Sequence, residues 1–171
     1  MQEKLNINLI LCKDFDEETK TIYKMFNEIT TNEKHRATFT LVTFVNSIKR
    51  RARDDEKNNS DFVLHYYLME QKRDENGKRK GIYLGAIGYT DNDQNNSTEC
   101  GFEEKNSTFA QMEFNGAPFL NETEYRIEAY MVKGNIDSGL NYFELKKDSA
   151  KYRSDGELVS AVAFNVKFPK Q

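Results

Sequence analysis

The 171-residue chain contains no tryptophan, two prolines, two cysteines and two histidines. Each shortage closes off a class of function. Two His and two Cys, scattered along the chain, offer no recognised four-ligand zinc spacing. Cys12 and Cys100 lie far apart and form no C-x-x-C motif. Two reduced thiols in a cytoplasmic protein are the expectation, and a Cys12–Cys100 bridge the alternative. Without Trp there is no Cys…Trp…Cys signature of an antibody-type domain. No apolar run approaches the roughly 18 residues of a membrane span. The opening "MQEKLNINLILCK" lacks the basic stretch, long apolar run and small-residue cleavage site of a secretory signal. Neither a nucleophile elbow, a P-loop nor a dinucleotide-binding glycine pattern occurs, which removes the common enzyme classes that announce themselves by motif.

What is present points to a folded single domain spanning residues 1–171. Hydrophobic residues make up 37% and charged residues 31%, and twelve Phe with nine Tyr supply the bulky surface that a core of this size needs. The net charge of −3 argues against a general nucleic-acid coat, since such proteins are strongly basic. Richness in Lys, Asn, Glu, Ile and Tyr fits an AT-rich bacterial or phage genome.

Period-two alternation dominates. In "KLNINLILC", Leu5, Ile7, Leu9 and Leu11 share one face, with Asn6 and Asn8 on the other. "TKTIYKMFNEI" continues as one alternating strand. "HRATFTLVTFV" is rich in β-branched and aromatic residues and reads as a strand buried on both faces. "DFVLHYYLMEQ" puts Phe62, Leu64, Tyr66 and Leu68 together, and "TEYRIEAYMVK" sets Tyr125, Ile127, Ala129 and Met131 against Arg126, Glu128 and Tyr130. "GIYLGAIGYT" carries Gly81, Gly85 and Gly88, a sign of a bulge or close packing. Asn76-Gly77 between two such runs predicts a hairpin, because both turn positions can take positive φ. "TFAQMEF" and "ELVSAVAFNVKF" are further strands. "NYFELKK" is a short strand candidate, while Ser47–Glu56 and Asn141–Lys151 are the best places for a short helix. Eight to ten short strands at near-regular spacing predict an all-β fold. A two-sheet antiparallel sandwich of immunoglobulin-like architecture comes first, a β-barrel second.

The order of "LILCKDFDEETKTIYKMFNEI", "TFTLVTFV", "DFVLHYYLMEQKRDENGKRKG", "TEYRIEAYMVKG" and "AVAFNVKF" resembles a group of small bacterial β-sandwich proteins of unknown function. Those open with a strand ending near a Cys-x-Asp stretch, here Cys12 to Asp14, followed by "F-x-x-I", here Phe26 to Ile29. The resemblance implies a sandwich and carries no activity or site residues.

Three sets of residues are chemical candidates. In "DNDQNNSTECGFEE", Asp91, Asp93 and Asn95 stand at the first, third and fifth positions of a calcium loop, where hard oxygen ligands belong. The sixth position is Asn96, not the expected Gly, and the flanks read as strands, so a solvated loop is preferred over Ca²⁺ as a cofactor. "KDFDEE" likewise reads as a turn. In "SIKRRARDDEKNNSD", Arg50, Arg51 and Arg53 offer phosphate contacts, joined by Lys78, Arg79 and Lys80 if the two loops meet. Asp54, Asp55 and Glu56 cancel most of that field, and no stacking aromatics are interleaved, so nucleic acid is disfavoured as partner. His65 alternates within a strand and reads as structural, His35 as exposed in a polar turn. Outward aromatics Tyr23, Tyr83 and Tyr130 are interface anchors if exposed together, or second-face core if not.

The resulting expectation is a non-enzymatic binding or assembly module, with an unknown protein as partner, no membrane, and a homo-oligomer as one possible form. A calcium- or ligand-binding sandwich, or a weak nucleic-acid binder using its basic loops, is the alternative.

Overall fold

A computed structural model describes residues 5–48, 62–89, 105–134 and 141–170, and within them the alternating segments become strands. In chain order these are β1 (Leu5–Asp16), β2 (Thr21–Met25), β3 (Glu28–Thr30), β4 (Arg36–Ile48), β5 (Phe62–Arg73), β6 (Arg79–Tyr89), β7 (Lys105–Pro118) and β8 (Glu124–Lys133). Two short helices, α1 (Tyr142–Lys147) and α2 (Ser149–Asp155), precede the last strand, β9 (Glu157–Lys167). The strands form a four-stranded sheet in the order β2-β1-β4-β7 and a five-stranded sheet in the order β3-β9-β8-β5-β6. Neither sheet closes on itself among the described residues, so the arrangement is a two-sheet sandwich and the barrel alternative is set aside.

The periodicity places the core between the sheets. Ile7, Leu9 and Leu11 of β1 and Phe39, Leu41 and Val45 of β4 face Leu64, Tyr66 and Leu68 of β5. Tyr125, Ile127 and Ala129 of β8 and Phe164 and Val166 of β9 complete that layer. Phe39, Phe119, Tyr125 and Phe164 pack as tilted and edge-on rings, the arrangement aromatic quadrupoles favour. The Tyr66 hydroxyl, deep in this layer, meets the Thr43 hydroxyl at 2.9 Å and so joins the two sheets by a polar contact. Burial holds that phenol far above its usual pKa, so it stays protonated.

Two features depart from the sequence expectations, and a third, the hairpin, is present with its turn organised by Asp74. The sandwich is not wholly antiparallel: β3 runs parallel to β9, pairing Glu28–Thr30 with Asn165–Lys167. "TKTIYKMFNEI" is also not one strand. Lys24 takes a φ of 51°, in the left-handed region, and the chain then leaves the first sheet for the second, where the Asn165 amide donates to the Asn27 carbonyl. The hairpin between β5 and β6 is present, but only Gly77 has positive φ, at 72°. Asp74 organises the turn instead: its carboxylate accepts from the Asn76 and Lys78 amides, and its carbonyl accepts from the Gly77 amide. That pattern matches a tight turn closed by a left-handed glycine.

The β1–β2 hairpin folds over the outer face of the first sheet. Glu17 accepts a 2.6 Å bond from Gln111 of β7, and Lys20 lies over the Phe109 ring. Beneath it Cys12, Phe15 and Val42 form a second, smaller apolar cluster. Cys12 is a free, buried thiol whose pKa is raised by burial and, secondarily, by Asp14. Cys100 lies outside the described residues. Of the helix candidate at Ser47–Glu56, Ser47 and Ile48 end β4 and the remainder lies outside the described residues.

Candidate functional site on the outer face of the second sheet

The outer face of a sandwich sheet is ordinarily wet and polar. On β5 it is not: every residue from Phe62 to Glu70 is buried. His65, Tyr67 and Met69 point away from the core, and the register lines them up with chemistry from the neighbouring strands. Tyr67 sits between Tyr83 of β6 and Glu128 of β8, His65 between Ala86 and Tyr130, and Met69 between Gly81 and Arg126. Gly81 is required by this packing: a Cβ there would stand 2.2 Å from the Met69 sulfur.

The cover is the helical segment. The helix expected at Asn141–Lys151 is present, and it excludes the alternative of a strand at "NYFELKK", because Asn141 caps it. The Asn141 side chain accepts from the Phe143 and Glu144 amides, and the Glu144 carboxylate accepts from the Asn141 amide, a complete capping box. The helices are tied to the sheet mainly by polar groups. The Tyr67 hydroxyl donates to the Ser149 carbonyl at 2.6 Å, and the Tyr142 hydroxyl donates to the Tyr83 carbonyl at 2.9 Å. Tyr152 stacks on the His65 ring at 4.0 Å, and Leu145 packs with Tyr67, Met69 and Tyr83.

His65 Nδ1 and the Tyr83 hydroxyl share a 3.0 Å hydrogen bond. Burial lowers the His65 pKa to about 4, so the ring is neutral at physiological pH. Burial likewise raises Tyr67 and Tyr83, and both stay protonated donors. A neutral imidazole wedged between two rings supports the structural reading of His65.

One end of this face is charged. Glu128, 2% exposed, draws three arginines from three elements. Arg126 Nη2 lies 2.8 Å from Oε1 and Arg79 Nη1 lies 3.7 Å from the same oxygen, while Arg153 Nη2 is 3.5 Å from Oε2. The Tyr130 hydroxyl donates to Oε2 at 3.0 Å, and the Arg153 guanidinium lies over the Tyr130 ring. Among the described residues, the buried Glu70, on the core-facing side of β5, has neutral partners: it accepts from Asn121 and from the Tyr125 hydroxyl.

The candidates named from the sequence are distributed as follows. Asp91, Asp93 and Asn95, and Arg50, Arg51 and Arg53, lie outside the described residues. Lys78 and Lys80 are exposed, whereas Arg79 turns onto the outer face and joins Arg126, Arg153 and Glu128. Asp16 caps its own turn, accepting from the Glu18 and Thr19 amides, as expected for "KDFDEE". His35 is exposed at a φ of 55° and stacks on Phe168. Tyr83 and Tyr130 belong to the covered face, while Tyr23 is exposed on β2, so the three do not form one surface. Among the described residues, no group of three His, Cys, Asp or Glu side chains is placed to hold a metal, and no helix is long and apolar enough to cross a membrane.

A second feature lies at one side of the sandwich. Between the edges of β6 and β7 is a groove of about 340 Å3, walled by Leu68, Ile82, Leu84, Phe114 and Pro118, with Tyr142 at its rim. Among the described residues no strand lies beyond either edge. At the opposite side the edges are β2 and β3, of 5 and 3 residues, whereas β6 and β7 have 11 and 14.

No protein-family profile matches this chain, and no curated protein does. The likeness to bacterial β-sandwich proteins of unknown function therefore rests on segment order alone.

Proposed function

We propose that the protein is a non-enzymatic binding module that takes an extended segment of a partner protein along its β6–β7 side. The observation that carries this reading is the length of those two edges. Edge strands offer unpaired amides and carbonyls, and proteins ordinarily blunt them by keeping them short. Here the short edges lie on one side, and the long ones flank an apolar groove on the other. An extended peptide satisfies both features at once, through main-chain bonds to an edge and side chains set into the groove. The buried cluster supports a non-catalytic role, because His65, Tyr67 and Tyr83 are engaged in fastening the helices.

The test is selection of peptides from a random display library on the immobilised full chain, followed by amide chemical-shift mapping of the selected peptides. Perturbations concentrated on Ile82–Ile87 and on 113–118 are expected, with Ile82→Lys, on a side chain 47% exposed, weakening binding about tenfold. Absence of any enriched peptide, or shifts confined to other faces, would refute the reading. A concentration-dependent dimer abolished by Ile82→Lys would make the occupant a second copy of this chain.

A further inference from the structure

Among the described residues, the charge around Glu128 does not balance. Arginine keeps its proton at any physiological pH, so Arg79, Arg126 and Arg153 bring three positive charges to one carboxylate. No other carboxylate pairs with them among the described residues. Each oxygen of Glu128 has one short partner: Arg126 lies 2.8 Å from Oε1, and the Tyr130 hydroxyl donates to Oε2 at 3.0 Å. Arg79 and Arg153 approach at 3.7 and 3.5 Å, at or past the limit of a hydrogen bond.

The surplus shows in the donors. The Nε groups of Arg79 and Arg126 are both shielded from water and have no hydrogen-bond partner. A buried donor left unmade is costly, and more so on a charged group. Native structures rarely leave such groups without a water or an ion to receive them. The side chains of Arg79, Arg126 and Arg153 nevertheless keep 26%, 24% and 38% of their surface exposed, so the cluster as a whole is not sealed from solvent.

We propose that this corner is an oxyanion site that binds the phosphoryl group of a small phosphorylated ligand. A tetrahedral group with several acceptor oxygens can take forked bonds from more than one guanidinium. It would bring the excess of two positive charges, counted among the described residues, toward neutrality. The site is on a different face from the β6–β7 groove and stands or falls independently of it.

Inorganic phosphate is the probe, titrated into the full chain at matched ionic strength against sodium chloride and against acetate. Matching matters because screening alone alters exposed charges. The side-chain Nε–H signals of Arg79 and Arg126 are expected to move saturably with phosphate, with a rise in melting temperature that chloride does not produce. Arg79→Gln should weaken phosphate binding about tenfold, and Arg79→Lys, which keeps the charge but loses the fork, should weaken it nearly as much. Lys34→Gln, in the exposed turn before β4, should bind as the parent does. Static Nε–H signals, or a melting shift no larger than chloride gives, would overturn the proposal. So would equal binding of acetate, or equal loss on Lys34→Gln. Because the Nε–H readout uses the unmodified chain, a variant that fails to fold leaves the test intact.

Discussion

Replacing Glu128 by Gln separates a carboxylate that holds an ion cluster from one that merely decorates it. The substitution keeps the shape and one acceptor oxygen but places an amide donor where Arg126 or the Tyr130 hydroxyl now donates. One charge-assisted bond is lost, about 1.5–3 kcal/mol. The attraction to Arg79 and Arg153 also goes, but those heads are partly exposed and the loss is screened to less than about 1 kcal/mol. The sum is about 3 kcal/mol, which in a chain of this size lowers the melting temperature by roughly 6–12 °C. Arg79→Gln should behave differently. It removes a guanidinium that makes no short bond and relieves a positive excess, so its effect should stay within about 0.5 kcal/mol. Urea denaturation of both variants with the parent, at constant m-value, reads the two effects directly. A Glu128→Gln loss below about 1 kcal/mol, or an Arg79→Gln loss equal to it, would show that the cluster is not organised as described.

Three other outcomes are expected. His65 is held neutral with a pKa lowered from 6.5 to about 4, so the unfolded chain binds its proton first; its stability contribution is full above pH 6.5 and is lost as pH falls toward 4. That loss is about 2–3 kcal/mol, and urea curves across the range should show a shallower slope in His65→Phe. Gly81→Ala should cost about 1–3 kcal/mol by displacing the buried Met69 side chain, measurable as a lower denaturation midpoint. Tyr67→Phe removes the donor to the Ser149 carbonyl and should cost about 1 kcal/mol, with faster proteolysis between α1 and α2.

Much of the sandwich can be read from alternation because a half-buried strand obliges every second side chain to be apolar. Tyr125, Ile127 and Ala129 therefore announce their face, and Leu64, Tyr66 and Leu68 theirs. The same rule misleads on the opposite face. Arg126, Glu128 and Tyr130 read as a solvated row, yet Glu128 is buried because helices from residues 142–155 cross over it. No local pattern reports that Arg79, Arg126 and Arg153 converge, since the fold alone brings them together. Asn141–Lys151 was open to both a helix and a strand reading, and the capping-box pattern of Asn141 with Glu144 three residues later decides for the helix over the strand-like look of Tyr142 and Phe143. The hairpin at Asn76-Gly77 was legible, but the part Asp74 plays in it was not. Asn-Gly draws attention to itself, whereas the carboxylate two residues earlier sets the geometry.

The way the helices are attached also bears on how the molecule comes apart. In α1 only Leu145 is buried, and in α2 no residue is. Their hold on the sheet is a few hydroxyl bonds, two ring stacks and the Arg153 contacts, each worth little beside the aromatic layer between the sheets. Regions with few buried apolar contacts open at a fraction of the global free energy. In native-state hydrogen exchange the amides of α1 and α2 should thus open as one unit, well before those of β4, β5 and β8. In that partly open form the sandwich keeps its core while Tyr67, Met69 and Tyr83 become wet, so the first step of unfolding uncovers a ready-made aromatic surface.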